Sequence, residues 1–394
     1  MTFKSCQKPF LNFKNSKSRK FVGDFIAGLM VGDGHVSLGA KHGGKSLERS
    51  AIKPRMIMTQ NDKHNCLPEL KEILKDKYDI NSTLQNFTVS RGSNLYIEGV
   101  KNCKKLTTLL LKANTIGPKS YKIDFMNALF KKYYNKRFHL KPEGKLALID
   151  ARKCFSNLTN SRTLSTNSIE TAYGFSKGQS NGCSLELRQK VAYKEACRRK
   201  KLFEMLKAGK LTLSPGFICG FVAAEGYFCT GIRLPDKWDE NSKKWISKNS
   251  KTKKPKKPVV KMKFSLSGSI FEKETLEILA TQLEEKSSIE DLSGKVHKSK
   301  IKKAYTYRVS DLRVISKMIT FFEKYPFVIH ETKQTQFENF SSPFQMVKEK
   351  QHLTKEGFLK IAQDLYNTPF RQDHNSRNYS FEQLEDWADF NWPG

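Results

Sequence analysis

The chain has 394 residues, enough for two or three domains that each bury a hydrophobic core. Lysine and arginine outnumber aspartate and glutamate by 71 to 39, so the net charge is +32 and the isoelectric point is near 9.7. The 27 phenylalanines and 13 tyrosines exclude a disordered basic tail, because aromatic residues at this frequency need an interior to fill. A folded body with this charge indicates a polyanionic partner. Nucleic acid is favoured over a membrane, because no apolar stretch approaches the roughly 20 residues of a spanning helix.

The eight cysteines are spread along the chain, with no C-x-x-C pair and no histidine at a zinc-ligand spacing. This pattern predicts a reducing compartment and no structural zinc. The first 19 residues contain lysine and serine but no acidic residue and no apolar core of a secretory signal. Two interpretations of range 1–20 remain open: an organelle transit segment, or a basic arm that contacts DNA.

Two segments of the sequence are repeated. FIAGLMVGDG at 25–34 returns as FICGFVAAEG at 217–226, 192 residues later. HLKPEG at 139–144 returns as HLTKEG at 352–357, 213 residues later. Self-similarity at two places in the same order predicts a tandem duplication.

The two halves also share a predicted order of elements: a helix, two strands, a helix, two strands and further helices. Hydrophobic periodicity places first-half elements after the first repeat at 53–60 (strand), 67–74 (helix), 83–89 and 94–99 (hairpin), and 101–112 and 119–132 (helices). The matching second-half elements are a strand at 261–267, a helix at 276–283, strands at 295–303 and 305–309, and helices from 312 and beyond 326.

The longer repeat distance in the second pair implies an insertion in the second half, most of it at 235–258. This insertion contains Trp238, Trp245 and a lysine-rich run at 251–257. A solvated loop is one interpretation of this lysine-rich run. A hairpin tip laid along DNA phosphates is favoured, because the strand at 261–267 already alternates basic or hydroxyl side chains with apolar ones.

The composition between the halves changes to serine, threonine, asparagine and glycine, which is typical of a linker. The predicted boundaries are a basic arm or transit segment at 1–20, a first domain at 21–160, a linker with a basic helix at 161–213, a second domain at 214–378 and a C-terminal tail at 379–394.

Each repeat carries an acidic residue just before its closing glycine, Asp33 in the first copy and Glu225 in the second. An acidic side chain is unfavourable there, because the last turn carries the negative end of the helix dipole. Small residues such as Gly28 and Gly220 would let the two helices approach closely, bringing the carboxylates together. Paired carboxylates beside substrate phosphates suit Mg²⁺.

At these residues the sequence resembles the LAGLIDADG homing endonucleases in their monomeric two-motif form. The nine-letter motif aligns with 26–34 and with 218–226, and Val31 and Ala223 replace its first acid, a position that commonly varies in the family. The resemblance implies an α+β fold of two tandem αββαββα domains with pseudo-two-fold symmetry. It also implies saddle-shaped antiparallel sheets that face double-stranded DNA.

The resemblance further implies metal-dependent cleavage of both DNA strands with short 3′ overhangs. Asp33 and Glu225, together with the adjacent Gly32 and Ala224, would bind the metal. The segment from Lys333 resembles the family segment that carries a catalytic lysine. In the first half, Lys119 and Lys122 both remain candidates for that role.

Readout of the DNA bases is predicted to come from the sheets, because a β-ribbon fits the major groove and alternation directs every second side chain to it. Each lysine taken singly is more typical of phosphate contact. The candidate DNA-binding residues are Lys53, Arg55, Gln85, Arg91, Lys261, Lys263, Ser265, Lys298 and Arg308.

Two other functions remain open: an intron RNA maturase on the same fold, and a non-catalytic DNA-binding protein. Both metal-binding acids are present, which favours cleavage over the second alternative. A composition rich in lysine, asparagine and phenylalanine indicates an A+T-rich coding sequence of the kind found in organelle introns. The sequence therefore predicts an intron-encoded protein of a mitochondrion or chloroplast.

Overall fold

The computed structural model of the chain describes residues 16–41, 51–61, 66–87, 92–134, 139–157, 193–234, 237–239, 244–246, 258–269, 272–299, 304–366 and 379–392. Four predictions lie wholly or mainly outside these residues: the arm or transit segment up to residue 15, the DNA contact of Arg91, the composition-based linker up to residue 192, and the lysine-rich run at 251–257. They stay predictions.

The first half begins with a long helix that carries the first repeat. Its elements are α1 (Ser16–Asp33), β1 (Gly34–Lys41), β2 (Ala51–Gln60), α2 (Leu67–Tyr78), β3 (Thr83–Asn86), β4 (Ser93–Glu98), α3 (Val100–Lys112), α4 (Pro118–Lys132) and α5 (Pro142–Asn157). The predicted helices and strands of this half are confirmed within a few residues. α1 begins inside the range predicted as an arm or transit segment.

The second half repeats this order after a connecting helix. Its elements are α6 (Tyr193–Lys207), α7 (Pro215–Glu225), β5 (Gly226–Arg233), β6 (Lys237–Asp239), β7 (Lys244–Ile246), β8 (Val259–Ser269), α8 (Lys273–Leu283), β9 (Lys295–Lys298), β10 (Ala304–Val309), α9 (Leu312–Lys324), α10 (Glu331–Lys348), a 3₁₀ turn (Gln351–Leu353), α11 (Lys355–Tyr366) and α12 (Phe381–Asn391).

The described residues form two four-stranded antiparallel sheets with equivalent strand orders, β1-β2-β4-β3 and β5-β8-β10-β9. In β8, side chains such as Met262 and Phe264 face the core, while Lys261 lies on the opposite face. This period of two leaves one face of each sheet open and covers the other with helices. The predicted α+β fold with two equivalent halves is confirmed.

The two repeat helices, α1 and α7, pack against each other through glycines. A Cβ on Gly28 would lie 2.6 Å from the Phe221 nitrogen, and one on Gly220 would lie 2.9 Å from the Leu29 nitrogen. Neither position has room for a side chain, so the helices touch backbone to backbone. Ser214 caps the N-terminus of α7, because its side chain accepts from the Phe217 N–H.

The connecting helix α6 contacts both halves. Arg199 is buried and forms a bidentate ion pair with buried Asp124 of α4, with N···O distances of 2.7 and 2.8 Å. At the other end, Lys207 pairs with Glu274 of α8 at 2.9 Å. The predicted basic helix in this region is confirmed for 193–207, and it links the two halves physically.

The range predicted as a C-terminal tail contains α12, which begins with a capping box at Ser380. The short strands β6 and β7 of the insertion pack against this helix, and Trp245 Nε1 donates to the Gln383 carbonyl at 3.1 Å. The described part of the insertion is thus an antiparallel pair of short strands docked on α12, while the predicted contact of the lysine-rich run with DNA lies outside the described residues. The tryptophans of the insertion bury apolar surface against α12, which stabilises the folded-back position.

No helix in the described part of the chain is long and apolar enough to cross a lipid bilayer.

Candidate active site at the helix interface

Asp33 and Glu225 end α1 and α7, and the close packing of these helices brings their C-terminal ends together. A Cβ on Gly32 would overlap the Cβ of Ala224 and would lie 3.3 Å from Cγ of Glu225. Gly32 and Ala224 thus form the contact, and each directly precedes one of the two acids in the sequence. The structure therefore brings the two acids together at the helix interface.

The enclosed position of the two carboxyl groups changes their acidity. Burial raises the pKa of Asp33 to about 6, against a hydrogen bond from Gln60 and the charges of Lys119 and Lys333, which lower it. Burial raises the pKa of Glu225 to about 7, and the neighbouring carboxylates of Asp33 and Glu272 raise it further. Burial therefore makes the ionised form of each acid unfavourable, and a bound cation would stabilise that form.

Two lysines reach this centre from equivalent helices of the two halves. Lys119 of α4 donates to the Gly32 carbonyl, and Lys333 of α10 donates to the Gly226 carbonyl at 2.7 Å. Burial lowers the pKa of both, to about 8 for Lys333, while the charges of Asp33 and Glu225 act in the opposite direction.

The structure also separates the two first-half lysine candidates. Lys122 lies one turn further along α4, where burial and the charge of Lys119 lower its pKa to about 8. Burial and the charge of Lys122 lower the pKa of His35 of β1, whereas the charge of Lys119 also lowers the pKa of both acids and its amine donates to the Gly32 carbonyl. Lys119 is therefore the first-half counterpart of Lys333.

Sequence reasoning missed Gln60 and His330, which connect the halves beside Asp33. The Gln60 side-chain nitrogen lies 3.4 Å from Asp33 Oδ2 and 3.5 Å from His330 Nε2, and its oxygen accepts from the Cys66 N–H at 2.9 Å. The alternation of β2 could have found Gln60, because the residue occupies a core-facing position without being apolar. For His330 the sequence offers no such signal.

Glu272 was also missed, because it lies outside both repeats. It is buried directly before α8, and its carboxylate accepts from the Ser269 N–H at 2.6 Å. Its charge raises the pKa of Glu225 and opposes the lowering of the Lys119 pKa. The Glu225 side of the centre thus carries an additional acid, whereas the Asp33 side carries the neutral Gln60.

Among the described residues no group of three or more histidine, cysteine, aspartate or glutamate side chains could hold a metal ion. The candidate metal ligands here are the carboxylates of Asp33 and Glu225. Both side chains are partly exposed, and burial raises the pKa of each. Hard oxygen donors of this kind fit Mg²⁺, which commonly keeps water and substrate phosphates among its ligands. The Gly32 carbonyl is already engaged by Lys119, so the carboxylates are the stronger candidates.

The open faces of the sheets hold most of the predicted DNA-binding residues. Lys53, Arg55 and Gln85 lie on the open face of the first sheet, and Lys261, Lys263 and Arg308 on that of the second. Arg55 pairs with Glu98 and lies 5.6 Å from the centre of the Tyr96 ring.

Two of the predicted contacts need correction. Ser265 has the register of the open face, next to Tyr227 and Arg308, but its side chain is buried. Lys298 pairs with Tyr305, so it has the register of the core face, and its side chain is exposed at the end of β9. A shift of one residue moves a side chain to the other face of a sheet. Lys295 and His297 hold the open-face register instead.

No protein family model and no curated protein matches this sequence. Solved structures match it over most of its length. I-AabMI, a LAGLIDADG meganuclease bound to uncleaved DNA, is 18% identical with a TM-score of 0.57, and the match covers 88% of this chain and 99% of that chain. I-LtrWI, a LAGLIDADG homing endonuclease bound to target DNA, is 16% identical with a TM-score of 0.58 and coverages of 91% and 99%.

A lysine-to-alanine variant of I-SmaMI is 15% identical, with a TM-score of 0.59 and coverages of 89% and 99%. The chain has the LAGLIDADG homing endonuclease fold. Its two motif helices are α1 and α7, so one chain supplies both copies of the LAGLIDADG motif. The resemblance of the motif letters is confirmed by the fold that surrounds them.

Proposed function

We propose that this protein is a site-specific DNA endonuclease that uses Mg²⁺, or another divalent cation, to cut both strands of a long recognition site. The observation that carries the proposal is the convergence of Asp33 and Glu225 at the paired ends of α1 and α7, with Lys119 and Lys333 beside them. Solved structures of the same fold, I-AabMI and I-LtrWI, are bound to DNA. The family resemblance implies that the break has short 3′ overhangs.

Asp33 and Glu225 would hold the metal, which when bound supplies positive charge to the phosphate and lowers the pKa of a water. The lysines act from the protein side. Lys119 and Lys333 are held by backbone carbonyls beside the acids, where their charge stabilises the negative charge that develops on the phosphate. Because its pKa is lowered to about 8, Lys333 can also give a proton to the leaving oxygen near neutral pH.

Gln60 has a positioning role in this proposal. Its amide nitrogen donates to Asp33, while its oxygen is held by the Cys66 N–H. The amide therefore fixes the orientation of one acid through a hydrogen bond that is anchored in the backbone. His330 touches the same amide from the second half, so both halves contribute to the placement of Asp33.

The open faces of the two sheets would bind the DNA on either side of this centre. Basic and amide side chains alternate there with core-facing apolar residues, as required of a β-ribbon in the major groove. Both motif helices lie in one chain, so a monomer suffices for cleavage of both strands. The composition supports an origin in an organelle intron, and a fluorescent fusion would test that location.

The test is Mg²⁺-dependent linearisation of a plasmid that carries the intron-less version of the gene's own insertion site. Asp33→Asn and Glu225→Gln are each expected to lower double-strand cleavage at least about 100-fold, because each removes a charged metal ligand. Asp79→Asn is the matched control, an acid-to-amide change at the exposed end of α2. Full cleavage by either single variant would refute the shared centre. Nicking of one strand alone would show that the acids act independently.

A further inference from the structure

The two halves differ at the end of the strand that lies beside each acid. In the first half, Gln60 ends β2 and directs its side chain to Asp33. The strand pairings equate Gln60 with Gly268 of β8, because Gln60 lies two residues after the partner of Gly34, and Gly268 lies two residues after the partner of Gly226. The pairings of the same strands with β4 and β10 give the same match. The second half therefore has no strand side chain at the position of Gln60.

Glu272 fills the space beside this glycine. A Cβ on Gly268 would lie 2.9 Å from the Cβ of Glu272 and 3.1 Å from its Oε2. Glu272 is 6% exposed and directly precedes α8, as Cys66 directly precedes α2. The space that Gln60 fills from the strand in the first half is thus filled from the start of the helix in the second half.

The hydrogen bond between strand and helix also runs in opposite directions in the two halves. In the first half, the side chain of the strand residue Gln60 accepts from the Cys66 N–H, at the start of the helix, at 2.9 Å. In the second half, the side chain of the helix residue Glu272 accepts from the Ser269 N–H, at the end of the strand, at 2.6 Å. Both halves therefore keep a polar side chain fixed to the backbone at this place, although a different element supplies it.

The Glu272 carboxylate acts on the groups of the candidate active site. Burial lowers the pKa of Lys119, and the charge of Glu272 opposes this lowering more strongly than that of Glu225 or Asp33 does. Burial raises the pKa of Glu225, and the charge of Glu272 adds to this rise. Only Oε2 of Glu272 has a hydrogen-bond partner among the described residues. The second oxygen of this buried carboxylate therefore retains its capacity to accept.

The exchange of an amide for a carboxylate makes the two sides of the centre unequal in charge. On the Asp33 side, the neighbouring side chain is the neutral amide of Gln60, whose nitrogen lies 3.4 Å from Asp33 Oδ2. On the Glu225 side, the side chain in the matching place is the second carboxylate of Glu272. The affinity of an oxygen site for a divalent cation rises with the number of charged ligands around it.

We propose that Glu272 is a positioning residue of the Glu225 side, and that its charge makes this side bind a divalent cation more tightly than the Asp33 side does. The Ser269 N–H holds the carboxylate in place beside the acid. This assignment rests on the proposed endonuclease function. It implies that the two DNA strands are cut at different Mg²⁺ concentrations, and that the strand cut on the Glu225 side is the first when Mg²⁺ is limiting.

The first test follows each strand of the insertion-site duplex with its own label across a range of Mg²⁺ concentrations. The original chain is expected to cut one strand at a half-saturating Mg²⁺ concentration at least about fivefold below that of the other. Glu272→Gln keeps the oxygen that accepts from Ser269 and removes the charge. It should raise the lower of the two concentrations to the level of the other, while the rates at saturating Mg²⁺ change by less than about threefold. Gln60→Glu should lower the half-saturating concentration of the other strand.

A relocation variant, Gly268→Gln with Glu272→Gly, moves the side chain from the helix to the strand, as in the first half. It should cut both strands with the same Mg²⁺ dependence, because it supplies the amide without the charge. Calorimetric titration of Ca²⁺ into the full chain, with and without the duplex, gives a measurement besides cleavage. Glu272→Gln and the relocation variant should each weaken the tightest Ca²⁺ binding at least about fivefold. Glu285→Gln, an exposed acid just after α8, is the matched control and should leave both measurements unchanged.

Cleavage of both strands with one Mg²⁺ dependence in the original chain, or unchanged Ca²⁺ binding in Glu272→Gln, would overturn the role of Glu272 and leave the proposed function intact. A lower rate of Glu272→Gln at saturating Mg²⁺, with both half-saturating concentrations unchanged, would show that the residue is only structural. Absence of cleavage by the original chain would overturn the proposed function instead, and the Ca²⁺ titration would then decide on Glu272 by itself.

Discussion

Gly32 and Ala224 face each other at the ends of the two motif helices, with no room for a methyl group on Gly32. This contact sets the separation of the next residue on each helix, Asp33 and Glu225. Two acids on opposite halves of a long chain are thus positioned by backbone packing, which is more rigid than side-chain packing. The geometry of the centre depends on glycine at the positions where the helices touch.

We expect Gly220→Ala to destabilise the protein by about 1 to 3 kcal/mol, because its methyl group would overlap the backbone of α1. The same exchange in an open helix stabilises by about 1 kcal/mol, so the sign itself is diagnostic. Gly231→Ala is the control, since a Cβ there meets nothing within 4 Å. Urea unfolding measures both. Equal stability of the two variants would contradict the backbone contact.

Replacement of the active-site lysines should separate cleavage from binding. Lys119→Met and Lys333→Met are expected to lower the cleavage rate by about 10² to 10³, because each removes a cation held beside the acids. Lys122→Met should have a much smaller effect, since it is Lys119 whose amine donates to the Gly32 carbonyl beside Asp33 and whose charge acts on both acids. Duplex affinity in Ca²⁺ should change little in all three. If Lys122→Met were the most damaging, the assignment of Lys119 would be wrong.

The stability of the metal-free protein should depend on pH through its two acids. The folded state raises the pKa of Asp33 from 3.8 to about 6 and that of Glu225 from 4.5 to about 7, chiefly by burial. The folded protein therefore holds these protons more tightly than the unfolded chain, and stability is lost as the pH rises from about 4 to 7.

Asp33→Asn and Glu225→Gln remove this loss. Each should raise the free energy of unfolding by about 1 to 2 kcal/mol at pH 8 relative to the original chain, and by less at pH 5. Thermal unfolding in EDTA at the two pH values measures the difference. A gain that is the same at both pH values would show that ionisation of the acids is not its source.

The buried pair of Arg199 and Asp124 should be essential for docking of the connecting helix. Arg199→Met is expected to cost about 3 to 5 kcal/mol, because it leaves the Asp124 carboxylate buried without its partner. Asp124→Leu added to Arg199→Met should recover part of that loss. Lys200→Met on the same helix is the control, since its pair with Glu204 is exposed and should change stability by less than about 1 kcal/mol.

The repeated segments made much of this molecule predictable. They placed α1 and α7, and with them both acids, because a local motif specifies its own helix and its closing glycine. The choice between Lys119 and Lys122 could not be made in the same way, since they lie three residues apart on one helix and only the packing of α4 decides which one reaches Gly32.

The features that could not be predicted depend on contacts between distant parts of the chain. Gln60 and His330 are 270 residues apart in sequence, and only the pairing of the halves brings them together. Lys298 was misplaced because its face depends on a register that strand composition does not specify. The helical nature of 381–391 was missed because its apolar face is completed by Leu234 and Trp245, far away in the chain.

All four tryptophans of the chain, Trp238, Trp245, Trp387 and Trp392, lie in the small cluster between the insertion and α12. Ring centres there are 5.3 Å apart for Trp238 and Trp245 and 5.4 Å apart for Trp387 and Trp392. Tryptophan fluorescence therefore reports on one corner of the molecule and does not report on the sheets or the acids. An emission shift on adding DNA would be a local signal that the insertion has moved against α12.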